Sequence, residues 1–103
     1  MNKFNNNIFE IPKLEKNSEL SYRYLKTDNC RVEIIYSNEA TTAWTEEDAI
    51  EVAFLLKGTA VVEEKGFVKT VLSAGEGIKI DAKAQHRVVS TSSDAIWLVV
   101  YTD

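Results

Sequence analysis

Cysteine, histidine and proline are almost missing from this sequence: each occurs once in 103 residues, as Cys30, His86 and Pro12. A lone cysteine forms no internal disulfide, so no covalent framework holds the fold, and a reducing, cytoplasmic setting is expected. With no second cysteine or neighbouring histidine to activate it, Cys30 reads as a small buried hydrophobe. A lone histidine means that any imidazole chemistry runs through His86. Glycine is sparse as well, at four residues, and the chain contains no glycine-rich phosphate loop, no G-x-S-x-G and no paired-histidine zinc motif. Long apolar runs are also lacking. The longest, Ala95 to Tyr101, is seven residues, against the roughly 18 to 20 that a membrane-spanning helix needs. The start, Met1 to Asn7, has no apolar stretch of the kind a signal peptide carries. Twelve basic residues stand against sixteen acidic ones, a net charge of −4. The basic residues are scattered singly, so neither nucleic acid nor a membrane is an expected partner.

Apolar and β-branched residues are plentiful. Hydrophobic residues make up 45% and charged residues 27%, the balance of a folded globular domain. The length suits one domain, and at this size folding hides roughly two-thirds of the unfolded surface, so a core forms without staples. Val, Ile and Thr together number 26 and fall in short runs between turn residues, which predicts an all-β domain. The expected strands are 20–25, 31–36, 51–57, 59–64, 67–72, 78–81, 86–91 and 95–102. Lys65-Gly66, Ser73 to Gly77 and Ser92 to Asp94 supply turns between them. Short, evenly spaced strands favour a sandwich or small barrel. Residues 45–58 carry the opposite signal. Thr45 and Asp48 resemble a capping box, Glu46 and Glu47 fill a first turn, and Lys57 and Gly58 stand where a helix would end.

Two motifs decide that conflict. Glu51-Val-Ala-Phe-Leu-Leu-Lys-Gly58 reads as E-x6-G, the end of the first cupin motif G-x5-H-x-H-x3,4-E-x6-G. Gly75 then opens a stretch that aligns with G-x5-P-x-G-x2-H-x3-N, with Asp81 at the proline, Lys83 at the glycine, His86 at the histidine and Ser90 at the asparagine. The chain thus resembles a small single-domain cupin over residues 31–102. The resemblance implies a jelly-roll barrel, the double-stranded β-helix, in which 51–57 is a strand. It divides the chain into an N-terminal arm with first strands, 1–30, packing on the barrel or on a partner subunit, and the barrel itself, 31–103.

The same resemblance points to a site and limits its chemistry. Metal-binding cupins use three histidines and a glutamate, and of these only Glu51 and His86 stand in position. Thr45 and Glu47, or Trp44 and Glu46, occupy the places of the other histidines. One imidazole and one carboxylate are too few donors for a transition metal. If a divalent ion binds, His86, Glu51 and Glu47 are its candidate ligands, with Glu46 and Asp48 as further oxygen donors suited to a hard ion.

Strand alternation sends Glu51, Ala53 and Leu55 to one face and Val52, Phe54 and Leu56 to the other, and puts Val88 and Ser90 on the face of His86 with Arg87 opposite. Glu51 and His86 are therefore the candidate catalytic and ligand-binding pair, the glutamate raising the histidine's basicity. Trp44 and Glu47 are their expected neighbours at the barrel mouth. The segments 31–36 and 95–102 read as structural strands. The expected function is binding of a small molecule without a full metal site and without a cofactor. The alternative is a divalent-metal-dependent isomerase, lyase or oxygenase acting on a small metabolite. The apolar outward set Val52, Phe54 and Leu56 further predicts a homodimer, with the arm from Phe4 to Leu14 near or across the interface.

Overall fold

The computed structural model describes residues 1–66 and 69–103. Eight strands run through them: β1 (Ser18–Lys26), β2 (Cys30–Asn38), β3 (Ile50–Lys57), β4 (Thr59–Glu64), β5 (Lys69–Ser73), β6 (Gly77–Ile80), β7 (His86–Thr91) and β8 (Ala95–Thr102). They form two antiparallel sheets, one in the order β1-β2-β8-β3-β6 and one in the order β5-β4-β7. This is the all-β jelly roll that the motifs imply. Among the described residues there is no helix, and none that is long and apolar enough to cross a membrane. The expected start of the fifth strand, Phe67 and Val68, lies outside the described residues.

The helix signals of residues 45–58 lose to tertiary pairing. β3 is hydrogen-bonded on both sides, to β6 through Glu51↔Ile80 and Ala53↔Ile78, and to β8 through Glu51↔Tyr101 and Ala53↔Val99. A segment with apolar residues on both faces suits a central strand. The inner face takes Ala53 and Leu55, both buried, and the outer face takes Val52, Phe54 and Leu56. Gly58 closes the strand at φ +87°, and a Cβ there would collide with Ser92 Oγ and lie 3.0 Å from Ala95 Cα. The glycine of E-x6-G is thus fixed by backbone conformation and by close approach together.

The inner core runs between the sheets through Ala53, Leu55, Ala60, Leu72, Trp97, Val99 and Tyr101. A second apolar cluster lies outside the larger sheet, built from Ile34, Tyr36 and Ile96, with Ile8 and Leu14 of the N-terminal arm and Leu56 packed against it. The Tyr36 hydroxyl donates to the Ile8 carbonyl at 2.7 Å, fastening the arm over its own sheet. β1 adds an edge strand to that sheet by pairing with β2. The arm's cover is incomplete: Tyr22, Leu25 and Phe54 of the same sheet are 43 to 47% exposed.

The segment 40–45 runs beside β7. Thr45 and His86 exchange backbone hydrogen bonds at 2.9 Å, the Thr42 amide donates to the Val88 carbonyl, and the Val88 amide donates to Thr42 Oγ1. β7 also carries a bulge, since Val62 opposes Val88 but Val61 opposes Ser90. The extra residue breaks simple alternation. Val88 faces the cavity as expected, whereas Ser90 is exposed and Thr91 takes the buried position; Arg87, expected on the opposite face, also borders the cavity, beside Trp44. The expectation that Ser90 points inward is corrected by that bulge.

Candidate functional site

A cavity of about 430 Å³ lies inside the barrel, walled by apolar side chains that include Ile35, Val62, Ile78 and Trp97. Its polar end is assembled by cross-strand register. Arg31 on β2 opposes Tyr101 on β8, and Tyr101 opposes Glu51 on β3, so the three occupy one row of the larger sheet. His86 reaches the row from the smaller sheet, and its Nε2 stands 3.5 Å from Glu51 Oε1. Both side chains are nearly enclosed, at 12% and 13% exposure, so solvent screens the pair little.

The tautomer follows from the second ring nitrogen. His86 Nδ1 is 2.9 Å from the Ala84 carbonyl, which only accepts, so Nδ1 carries a proton and donates. A neutral ring would then turn its Nε2 lone pair toward a carboxylate, an arrangement that protonation converts into an ion pair. The contact with Glu51 accordingly raises the His86 pKa above 6.5, against the lowering effect of burial, with smaller help from the Ala84 carbonyl and the Glu47 charge.

Tyr101 has its pKa pushed up, by burial first and then by Glu51, and stays a neutral phenol. The Arg31 guanidinium lies over its ring, 3.9 Å from the centroid. Arg31 Nε is 2.6 Å from Glu33 Oε2, but the N–H is not directed at that oxygen, so the contact is an ion pair without an aligned hydrogen bond. Arg31 Nη2 is also 3.8 Å from Glu47 Oε2. Glu47 lines the cavity, and its backbone carbonyl accepts from the Lys83 amide at 2.6 Å. Lys83 is left-handed at φ +64°, the conformation for which the second motif ordinarily has glycine. Trp44, 45% exposed, stands at the rim with the Arg87 guanidinium 4.9 Å from its ring centroid. Arg87 in turn pairs with Glu63 at 2.9 Å.

The structure therefore brings Glu51, His86 and Glu47 to one end of one cavity and leaves Trp44 at its edge. Arg31, Glu33 and Tyr101 join them, although in sequence their segments read as purely structural strands. No local pattern marks these three; the only signal is that β8 lies beside β3 in the sheet and β2 beside β8.

A profile of the cupin domain matches residues 31–101. The chain belongs to the cupin domain family. No curated protein matches it by sequence. Among solved structures, this cupin is similar to a Ralstonia eutropha JMP134 protein provisionally named a mannose-6-phosphate isomerase. That match has a TM-score of 0.89 and 23% identity and covers 98% of this chain and 99% of the other. A cupin superfamily protein from Desulfitobacterium hafniense DCB-2 matches with a TM-score of 0.78 at 15% identity, over 88% and 83% of the two chains. The DMSP lyase DddQ of Ruegeria pomeroyi DSS-3 matches with a TM-score of 0.76 at 16% identity, over 82% of this chain and 47% of that one. At these identities the likenesses concern the fold.

Metal-binding cupins supply four ligands, and the donors of this cupin can be set against that need. His86 offers one nitrogen and Glu51 one carboxylate, each already facing the other. Thr45 uses its backbone on His86, and Glu47 approaches Arg31. Among the described residues, no three of His, Cys, Asp and Glu stand close enough together to hold one metal ion. A transition-metal centre needs three or more strong donors, and the residues here do not fit one.

Proposed function

We propose that this cupin binds a small organic molecule in its barrel, seated with its polar end against Glu51 and His86 and with Trp44 and Glu47 at the mouth. The observation that carries this reading is the convergence of the Glu51–His86 pair on a largely apolar cavity of about 430 Å³, the size and lining of small-molecule sites. Trp97 adds support. It is part of the cavity wall, and its buried indole N–H has no acceptor among the described residues. An unmet buried donor costs about 1 to 3 kcal/mol, which a ligand oxygen would recover. The pair can also hold and pass a proton, so acid–base chemistry on the bound molecule is open to it without a metal.

The test is a small-molecule screen by NMR on untagged protein, with His86→Ala as control. Binding that shifts the Trp97 indole and His86 ring signals and weakens in His86→Ala supports the reading. Compounds that shift only surface residues contradict it. Elemental analysis of the same protein addresses the divalent-metal enzyme: about one transition metal per chain, lost in His86→Ala, would overturn the metal-free account.

The assembly we propose is a homodimer through the outer face of the larger sheet, where Tyr22, Leu25 and Phe54 remain exposed beside the arm. The setting we propose is the cytoplasm, in keeping with a single free cysteine.

A further inference from the structure

The cavity's ionic groups are unevenly matched. Among the described residues three carboxylates line it, Glu19, Glu47 and Glu51, against two basic groups, His86 and Arg87. Arg87 is taken up by Glu63 at 2.9 Å, and His86 by Glu51 at 3.5 Å. Arg31, just behind the polar end, is held between Glu33 and Glu47. Every cation that borders the cavity thus has a carboxylate of its own chain, and the surplus charge is negative. The two aromatic faces nearby tell the same story, since Tyr101 carries the Arg31 guanidinium and Trp44 the Arg87 guanidinium. An anion entering this space would leave water with no unpaired cation to meet it, at a large desolvation cost. A cation would find surplus carboxylate charge concentrated by low-dielectric walls, and the apolar lining would receive a hydrocarbon body.

We infer that this barrel selects an organic ammonium ion with an apolar body and rejects carboxylates and phosphates. The inference rests on the reading of the cavity as a small-molecule site and names the class of molecule it takes. The ammonium group lies against Glu51 and Glu47, and the hydrocarbon part reaches toward Ile35 and Val62.

Four probes of equal chain length test it: hexylammonium, hexanol, hexanoate and hexyl phosphate, titrated into the full chain at neutral pH. Binding is followed by the Trp97 indole and His86 ring resonances in NMR spectra. Hexylammonium is expected to bind at least about tenfold more tightly than either anion, a difference of about 1.4 kcal/mol, and more tightly than hexanol. The margin should shrink in Glu51→Gln and in Glu47→Gln, with the second variant deciding if the first is unfolded by circular dichroism. Equal or tighter binding of hexanol, hexanoate or hexyl phosphate overturns the charge selection and leaves the small-molecule reading standing. If none of the four perturbs Trp97 or His86, both readings fall.

Discussion

His86 and Lys83 show how single positions carry the site. His86 is held from both nitrogens, by the Ala84 carbonyl and by Glu51, so its protonated form is bound into the fold. A histidine whose folded pKa is raised contributes stability in full below its unfolded value of about 6.5 and loses it as pH climbs through the raised value. Urea midpoints from about pH 5.5 to about pH 9 should therefore show the wild type losing its advantage over Glu51→Gln as pH rises. An advantage that grows with pH would contradict the ion pair. Lys83 sits at φ +64° where the second cupin motif has glycine. Left-handed backbone costs an L-residue about 1 to 2 kcal/mol, partly offset by glycine's greater unfolded freedom. Lys83→Gly should raise stability by up to about 1 kcal/mol in the same denaturation assay.

At the scale of the element, β3 shows what the sequence could and could not reveal. Its helix-like caps are local signals, while its pairing with both β6 and β8 is set by distant residues, so local reading alone favours the wrong structure there. E-x6-G resolves the conflict because Gly58 meets a requirement that can be stated physically. Gly58→Ala combines a left-handed φ with collision against Ser92, whereas Gly66→Ala has the same sign of φ and open space around it. Thermal or urea unfolding should show Gly58→Ala losing about 2 kcal/mol or more and Gly66→Ala about 1 kcal/mol. Equal losses would mean that the close approach does not matter. Glu51 and His86 were legible for the same reason as Gly58, through motif position. Arg31, Glu33 and Tyr101 were not, because cross-strand register brings them to the site and nothing in their own neighbourhoods records it. Strand alternation fails at Ser90 because a bulge in β7 leaves no mark in a run such as His-Arg-Val-Val-Ser-Thr.

For the whole molecule, the larger sheet divides the work between its two faces. The inner face builds the cavity and its polar end. The outer face takes the N-terminal arm through Ile8 and Leu14 but leaves Tyr22, Leu25 and Phe54 in water. Light scattering at micromolar concentration should give about twice 11.6 kDa, and Phe54→Lys should shift the mass toward the monomer. A monomer mass for the wild type would mean that the arm's cover is sufficient. The central claim concerns the inner face: that Glu51 and His86 form an ion pair at the polar end of the cavity instead of the remains of a metal centre. Titration of the His86 ring by NMR tests it most directly. The pair predicts a pKa above 6.5 in the metal-free wild type that falls in Glu51→Gln; an ordinary or lowered value, unmoved by that substitution, would contradict it.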